Sequence, residues 1–508
     1  MSQQSTAGST AVTGGRDTTV PPDSRRWLAL AVIAIAQLMV VLDATVVNIA
    51  LPSAQHALHI SDADRQWIVT AYTLTFGGLL LFGGRVADYF GRKRAFLIGL
   101  TGFALASALG GAATSAATLF AARALQGAFG ALLAPAALSL LTVTFTEARE
   151  RARAFGVFGA ISGGGAAIGL ISGGLLTEYL TWRWCLLVNI PIALVAFAAA
   201  LPLVRESRAQ GNTRYDVPGA ILATGGLTAL VYGFTKAATE QDHWTSPVTL
   251  AWLGWSAVLL AVFVWWESRT SNPLLPLRVL LDRNRGVSYL VSILIGSGML
   301  GMFLFMTYYL QLTLGYSALR AGVAYLPFSG GIVVAATLAA QLLPRFGPRV
   351  LMTVGGLLAT AAMVWLTQLD LHSSYVTHIL PSFIAMSLGM GLMFVPLSAT
   401  ALSGVGNHDA GVASAMVNTT QQVGGSLGTA LLNTIFTTAV AGYATTHGIS
   451  PAARAQGAIH GYNVAFTVSA ALLAAGAVLV VLFIRKPAGQ VGTAGDAEDL
   501  VPEPMLAG

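Results

Sequence analysis

Residues 27–50 read WLALAVIAIAQLMVVLDATVVNIA, a run with a single charged side chain, Asp43. A helix needs about 20 mostly apolar residues to cross the hydrocarbon core of a bilayer, so this run is long enough to span. The same pattern recurs at about 66–83, 95–113, 117–142, 154–177, 184–204, 217–237, 249–267, 287–312, 320–342, 350–368, 376–402, 411–440 and 462–484. That gives fourteen expected spans joined mostly by short connections, with no stretch long enough for a soluble domain. The fold class expected is an all-α membrane protein. Composition agrees, because only 9% of the 508 residues are charged and 55% are hydrophobic, against roughly 25% charged in a soluble domain. Most of the outer surface must therefore face lipid.

Basic residues fix an expected orientation. With the N-terminus in the cytoplasm, the inner segments hold Arg16, Arg25 and Arg26, then Arg85, Arg92, Lys93 and Arg94, then Arg149, Arg151 and Arg153. They go on to Arg205, Arg208, Arg214, Arg269, Arg278, Arg283, Arg285, Arg345, Arg349, Arg485 and Lys486, in all 21 of the 27 Lys and Arg. The outer segments hold Arg65, Arg183, Lys236, Arg320 and Arg454. Cytoplasmic loops carry this excess as a rule, and a miscounted helix would scramble it downstream. Both termini are thus expected inside. The same census explains the net charge of +6 as membrane topology and argues against a nucleic-acid partner. Residues 1–24 read as a polar, disordered leader without a signal-peptide core, and 487–508 as a disordered tail.

YFGRKRAFLIGLT at 89–101 is echoed by RFGPRVLMTVGGL at 345–357. Each opens a span that starts at the basic side. Two related halves with a site between them are a feature of secondary transporters. The expected division is 25–204 for the first six-helix half, 205–286 for an inserted helix pair, and 287–486 for the second half. Cys185 is the one cysteine, which excludes a disulfide framework, and the eight histidines lack metal-ligand spacing. No metal or cofactor is expected.

Four stretches carry chemistry. In LDATVVNIALP, Leu42 to Pro52, Asp43 lies deep in the first span, where an acid costs roughly 2.5–3.5 kcal/mol and needs a cavity or a partner. In LFAARALQGAFGA, Leu119 to Ala131, Arg123 is the one basic residue deep in a span, at a depth that matches Asp43. Either Arg123 tunes Asp43 to exchange a proton, or the two form a permanent ion pair between the first and fourth spans. Gln126, Gly127 and Gly130 share the face of Arg123. In GRVADYFGRKRAF, Gly84 to Phe96, Gly91 permits a turn, Arg92, Lys93 and Arg94 anchor at headgroups, and Asp88 can form a breakable latch. In GAISGGGAAIGLISGG, Gly159 to Gly174, Gly165, Gly169 and Gly173 repeat every four residues, a flat face for close helix packing that can also slide.

Together these residues resemble the major facilitator superfamily, and within it the fourteen-helix drug:H⁺ antiporter branch. The loop motif is matched at Gly84, Ala87, Asp88, Gly91, Arg92 and Lys93, the fourth-span pattern at Arg123 and Gly127, and the fifth-span antiporter motif at Gly165, Gly169, Gly173 and Gly174. WRWCLLVNIP (Trp182 to Pro191), LQLTLGYSALRAGVAYLP (Leu310 to Pro327) and GVASAMVNTTQQVGGSLGTA (Gly411 to Ala430) are similar to other signatures of that branch. Two positions depart from it: Leu170 stands where the antiporter motif has proline, and Tyr89 where the loop motif has a basic residue. The resemblance implies alternating access, with Asp43 and Arg123 coupling a proton to export, Asp88 and Arg92 in a conformational latch, and a bacterial cytoplasmic (inner) membrane location.

For a lipophilic cargo the expected cavity residues are Asn48 and Gln126 from the first half, Phe305, Tyr308, Tyr309 and Gln311 from the ninth span, and Asn418, Gln421 and Gln422, with Ser414, on one stripe of the thirteenth. Tyr308 and Tyr309 equally suit an interfacial aromatic belt. With Asp43 given to the proton, neutral or monocationic substrates are expected, driven by the proton gradient. The alternative is a dedicated exporter of one endogenous metabolite. A channel or receptor is a remote alternative, since there is no repeated pore motif or soluble domain. No catalytic or nucleotide-binding motif is present, so an enzyme is not expected. Nothing in the sequence bears on a periplasmic adaptor.

Overall fold

Polar backbone in lipid must pair within its own segment, and the computed structural model is correspondingly a set of long helices. It describes residues 25–145, 147–208, 216–240, 243–271, 273–275, 277–403, 410–448 and 450–485. The leader, the tail and the side chain of Ser414 lie outside the described residues. In order come α1 (Arg26–Ala57), α2 (Trp67–Phe90), α3 (Arg92–Gly111), α4 (Ala116–Thr144), α5 (Ala148–Tyr179), the short α6 (Trp184–Leu187) running into α7 (Asn189–Leu203), α8 (Val217–Thr239) and α9 (Pro247–Arg269). There follow the short α10 (Leu277–Leu280), α11 (Arg283–Tyr308), the short α12 (Ala318–Ala324), α13 (Leu326–Leu366), α14 (Leu380–Leu402), α15 (Ala410–His447) and α16 (Pro451–Phe483).

Among the described residues, twelve segments are long and apolar enough to cross a membrane. Two features of the helices bear on that number. The 32-residue α5 is not among the twelve. The segment Ala318–Leu366, counted once, is broken inside α13 at Gly347, whose φ is +74°. That left-handed conformation, which glycine adopts freely, sits between Pro344 and Pro348, both of which interrupt helical bonding. The architecture is thus all-helical among the described residues, with twelve to fourteen long apolar helices.

Packing divides the helices into groups. α1 to α7 pack on one another, with α4 against α2 and α3 and α5 against α1. α11 to α16 do likewise, with α13 against α14 and α16 and α15 against α11. α8 and α9 pair with each other, and α8 also touches α2 and α15. Many large apolar side chains of α9, including Trp255 and Trp265, are exposed, as expected of a lipid-facing pair.

Close approach comes from small residues. A Cβ at Gly173 would lie 2.9 Å from the Val46 carbonyl oxygen, and one at Gly165 3.1 Å from Leu38 Cδ1. Gly169 faces Thr45 in the same way. The four-residue glycine repeat is therefore the α1–α5 packing face. Gly174 points elsewhere, to Leu319 Cα at 2.6 Å, and so touches the second group.

Candidate functional site

The centre of the α1–α7 group holds a closed polar cluster. Asp43 is fully buried and Arg123 is 1% exposed. Arg123 Nη1 donates to Asp43 Oδ2 at 2.6 Å, and Gln126 Nε2 and Asn189 Nδ2 donate to Oδ1 at 2.8 and 2.7 Å. Arg123 Nε donates to the Ile68 carbonyl at 2.9 Å, its Nη1 also reaches Gln126 Oε1 at 2.8 Å, and the guanidinium lies 4.5 Å from the Tyr72 ring centroid. Ser107 accepts from Gln126 at 2.7 Å and from Asn189 at 3.3 Å. All three named contacts to the Asp43 carboxyl are donors, the set that an ionised carboxylate takes. Five elements converge here: α1, α2, α3, α4 and α7.

Sequence reasoning brings Asp43 and Arg123 together and the structure does so. It places Gln126 in this cluster rather than in a substrate cavity. Asn189, Ser107 and Tyr72 were not singled out. Asn189 lies within the WRWCLLVNIP stretch, where an uncharged residue gives no sign of its partner. A void of about 10 Å³ adjoins Arg123, lined otherwise by Val47, Ala50, Ile68, Leu119, Trp182 and Cys185 among others. It has barely the volume of one water, and its walls are mostly apolar.

Above this cluster, at the end of the bundle that carries Arg65, the two groups are sealed together. Arg65, 2% exposed, donates from Nε to Asn433 Oδ1 at 3.1 Å, and its guanidinium sits 4.1 Å from the Tyr308 ring centroid and 4.7 Å from that of Phe436. Asn433 Nδ2 returns a bond to the Asp62 carbonyl at 2.9 Å. Gln311 Nε2 donates to the Ile49 carbonyl at 2.9 Å, and Leu319 N donates to Glu178 Oε2 at 2.9 Å. Gly322 lies directly on the Leu170 carbonyl.

This seal relocates most of the expected cavity residues. Phe305, Tyr308 and Tyr309 are fully buried. Phe305 stacks on Phe436 with centroids 5.4 Å apart, and the Tyr309 hydroxyl donates to the Asp370 carbonyl at 2.6 Å. Phe305 and Tyr309 thus pack within the second group, while Tyr308, under Arg65, and Gln311 bridge the two groups at the sealed end. Asn48 is buried and donates to Ala44 O of its own helix at 3.0 Å. On α15, Asn418 is exposed and Gln421 and Gln422 are half-buried. Gln422 packs on Gly77 of α2, where a Cβ would lie 2.8 Å from its own Cβ.

At the opposite end, Arg92 Nε donates to Asp88 Oδ1 at 2.9 Å. Gly91 has φ +126°, and a Cβ there would lie 2.9 Å from the Glu206 carboxylate. That carboxylate caps α3, accepting from Lys93 N at 3.1 Å and Arg94 N at 3.2 Å, while Lys93 Nζ donates to the Leu201 carbonyl at 2.6 Å. A Cβ at Gly84 would lie 3.5 Å from Pro135 Cβ of α4. The loop motif thus has a partner, Glu206, that local spacing could not reveal from 113 residues away. Glu206→Ala uncaps α3 and is expected to lower stability by about 1 kcal/mol, seen as a lower unfolding midpoint of the purified protein.

The pattern of the Major Facilitator Superfamily matches residues 33–429. The chain belongs to that superfamily. It is 54% identical over 467 residues to the puromycin resistance protein of Streptomyces alboniger, covering 91% of this chain and 92% of that one. It is 41% identical over 411 residues to the cephamycin export protein of Amycolatopsis lactamdurans, covering 80% and 84%. The fold matches the crystal structure of a bacterial homologue of the human lysosomal transporter Spinster, in its inward-facing and unoccupied conformation, with a TM-score of 0.64 at 16% identity, covering 91% of this chain and 97% of that one. This chain is a multi-pass membrane transporter, and its superfamily and these relatives are transporters rather than enzymes.

Proposed function

We propose that this transporter exports antibiotic-like small molecules across the bacterial cytoplasmic membrane in exchange for protons. The observation that carries the coupling is the buried Asp43–Arg123 pair, held by Gln126 and Asn189 beneath a seal. Burying both charges costs several kcal/mol per ion before their attraction is counted. A group that must gain and lose a proton as access alternates gives that expense a use. The relatives named for puromycin resistance and cephamycin export support antibiotics as the cargo.

The arrangement proposed has fourteen spans, counting α5 and dividing α13 at Gly347, with two six-helix halves around an inserted pair, α8 and α9. Basic residues orient both termini and the Asp88 latch to the cytoplasm. The Arg65 seal then faces outward, and the structure is the inward-facing state. Asp43, ionised here, has given up its proton to the inside. Substrate binding, rearrangement and opening of the seal would expose Asp43 to external protons. Protonation cancels its charge, loosens Arg123, and favours return. The proton gradient supplies the energy, with no cofactor, and the cargo is neutral or monocationic.

The test is drug accumulation in a sensitive host. Cells expressing the chain should accumulate less puromycin than controls, and a protonophore should erase the difference. No change in accumulation of puromycin or of a panel of lipophilic dyes would overturn the export reading. The names of the puromycin and cephamycin relatives, each tied to one compound, favour a second reading, a dedicated exporter. Export of puromycin without any dye of the panel would support it over multidrug export.

A further inference from the structure

The inserted helix pair carries two buried carboxyl groups for which the Asp43 mechanism has no role. Asp216 caps α8 and is 8% exposed; Glu267, in the last turn of α9, is 3% exposed. Asp216 is well supplied with donors. Its Oδ1 accepts from Gly219 N at 2.9 Å and Trp266 Nε1 at 2.7 Å, and its Oδ2 from Leu274 N at 3.3 Å. Glu267 has one backbone donor, Leu275 N, at 3.0 Å from Oε2. Its Oε1 is buried with no protein donor. It lies beside Asp216 instead: a Cβ on Gly219 would lie 2.5 Å from Asp216 Oδ2 and 2.7 Å from Glu267 Oε1, so the two carboxyls meet over Gly219. Two carboxyl oxygens can hydrogen-bond to each other only with a proton between them.

Among the described residues, the charged groups acting on Glu267 are Asp216 and Arg85. Arg85, in the last turns of α2, donates to the Pro273 carbonyl at 3.4 Å. Asp216 accepts three N–H donors at the favourable end of a helix, and Glu267 accepts one. Like charges this close and this buried cannot both persist. The proton therefore belongs on Glu267 Oε1.

We propose that Glu267 is a second proton-binding site, and that its proton clasps the strap Pro273–Leu275 to the inserted helix pair. With the proton in place, both carboxyls hold the strap through Leu274 N and Leu275 N, and the strap holds Arg85, within the Asp88 loop motif. Proton loss sets two anions against each other. Glu267 then turns to Arg85, which leaves the Pro273 carbonyl, and the strap is freed. The clasp is closed at low cytoplasmic pH and opens as that pH rises. The inserted pair thereby reports internal proton concentration to the latch. This site is independent of any role for Asp43.

The test uses the full-length protein in liposomes, with Leu274→Cys in a Cys185→Ala background and a membrane-impermeant maleimide at the cytoplasmic face. After correction for thiol reactivity on an exposed control cysteine, labelling should rise roughly tenfold per pH unit until deprotonation is complete. Adding Glu267→Gln, which donates permanently to Asp216, should flatten the profile at the slow, clasped rate. Identical pH profiles with and without Glu267→Gln would overturn the proposal. A second measurement needs no engineered cysteine. The infrared band of protonated carboxyl at neutral pH should weaken in Glu267→Gln and in Asp216→Asn, the latter letting Glu267 ionise beside Arg85. A band unchanged in both also overturns it.

Discussion

Asp43→Asn is expected to reduce proton-driven export by roughly a hundredfold or more, the scale on which a positioned proton-transfer group acts. The structure gives a second, less obvious consequence. Asparagine removes the charge that balances Arg123, which is 1% exposed and cannot shed its own proton. Breaking one side of a buried pair costs about 3–5 kcal/mol. Arg123→Gln removes the other side, but the carboxyl left behind can take up a proton and become neutral. Both variants should lose coupling, yet Asp43→Asn should unfold at a distinctly lower temperature than Arg123→Gln. The double variant should recover stability without recovering export. Equal midpoints for the two single variants would mean that the pair is not buried as described.

Gly322→Leu should hold the transporter open at the Arg65 end. Gly322 rests on the backbone of Leu170, with a Cβ only 3.1 Å from the Leu170 carbonyl carbon and nearer still to its oxygen. Backbone cannot step aside as a side-chain tip can. Over-packing of this kind costs roughly 1–3 kcal/mol, charged to the sealed state alone, which shifts the balance between states by roughly five- to 150-fold. Spin labels at His59 and His372, both exposed and on opposite sides of the seal, should report a longer distance in the variant, together with a loss of export. Gly315→Leu is the wrong control because φ there is +64°. Gly330→Leu, in open space, should leave the distance unchanged.

Most of the spans were legible because crossing lipid demands a length and an apolarity that few other structures share. The Asp43–Arg123 pair was legible for the same reason: each charge stands alone in an apolar run, and their depths match. Asn189 and Ser107 carry no charge, and one neutral polar residue in a span leaves no mark that separates a partner of Asp43 from an ordinary helix contact. Phe305, Tyr308, Tyr309 and Gln311 were expected in a cavity, and the structure packs Phe305 and Tyr309 inside the second group and sets Tyr308 and Gln311 against the first. Their chemistry suits both, and a sequence does not say which conformation is being described. The glycine repeat of α5 gave its packing face correctly, but not that Gly174 and Leu170 look across to the second group. Asp216 and Glu267 escaped notice because each sits at the end of a span, where an acid reads as an ordinary solvated residue. Only their meeting over Gly219 shows them buried.

Substrate-driven proton movement in liposomes tests the central claim most directly. The purified protein would be reconstituted with a pH-sensitive dye inside, no imposed gradient, and puromycin added to one side. Exchange predicts that puromycin entering by way of the transporter drives protons out, raising the internal pH in wild type and not in Asp43→Asn. Puromycin uptake by the wild type with no change in internal pH, or the same pH change in Asp43→Asn, would contradict it.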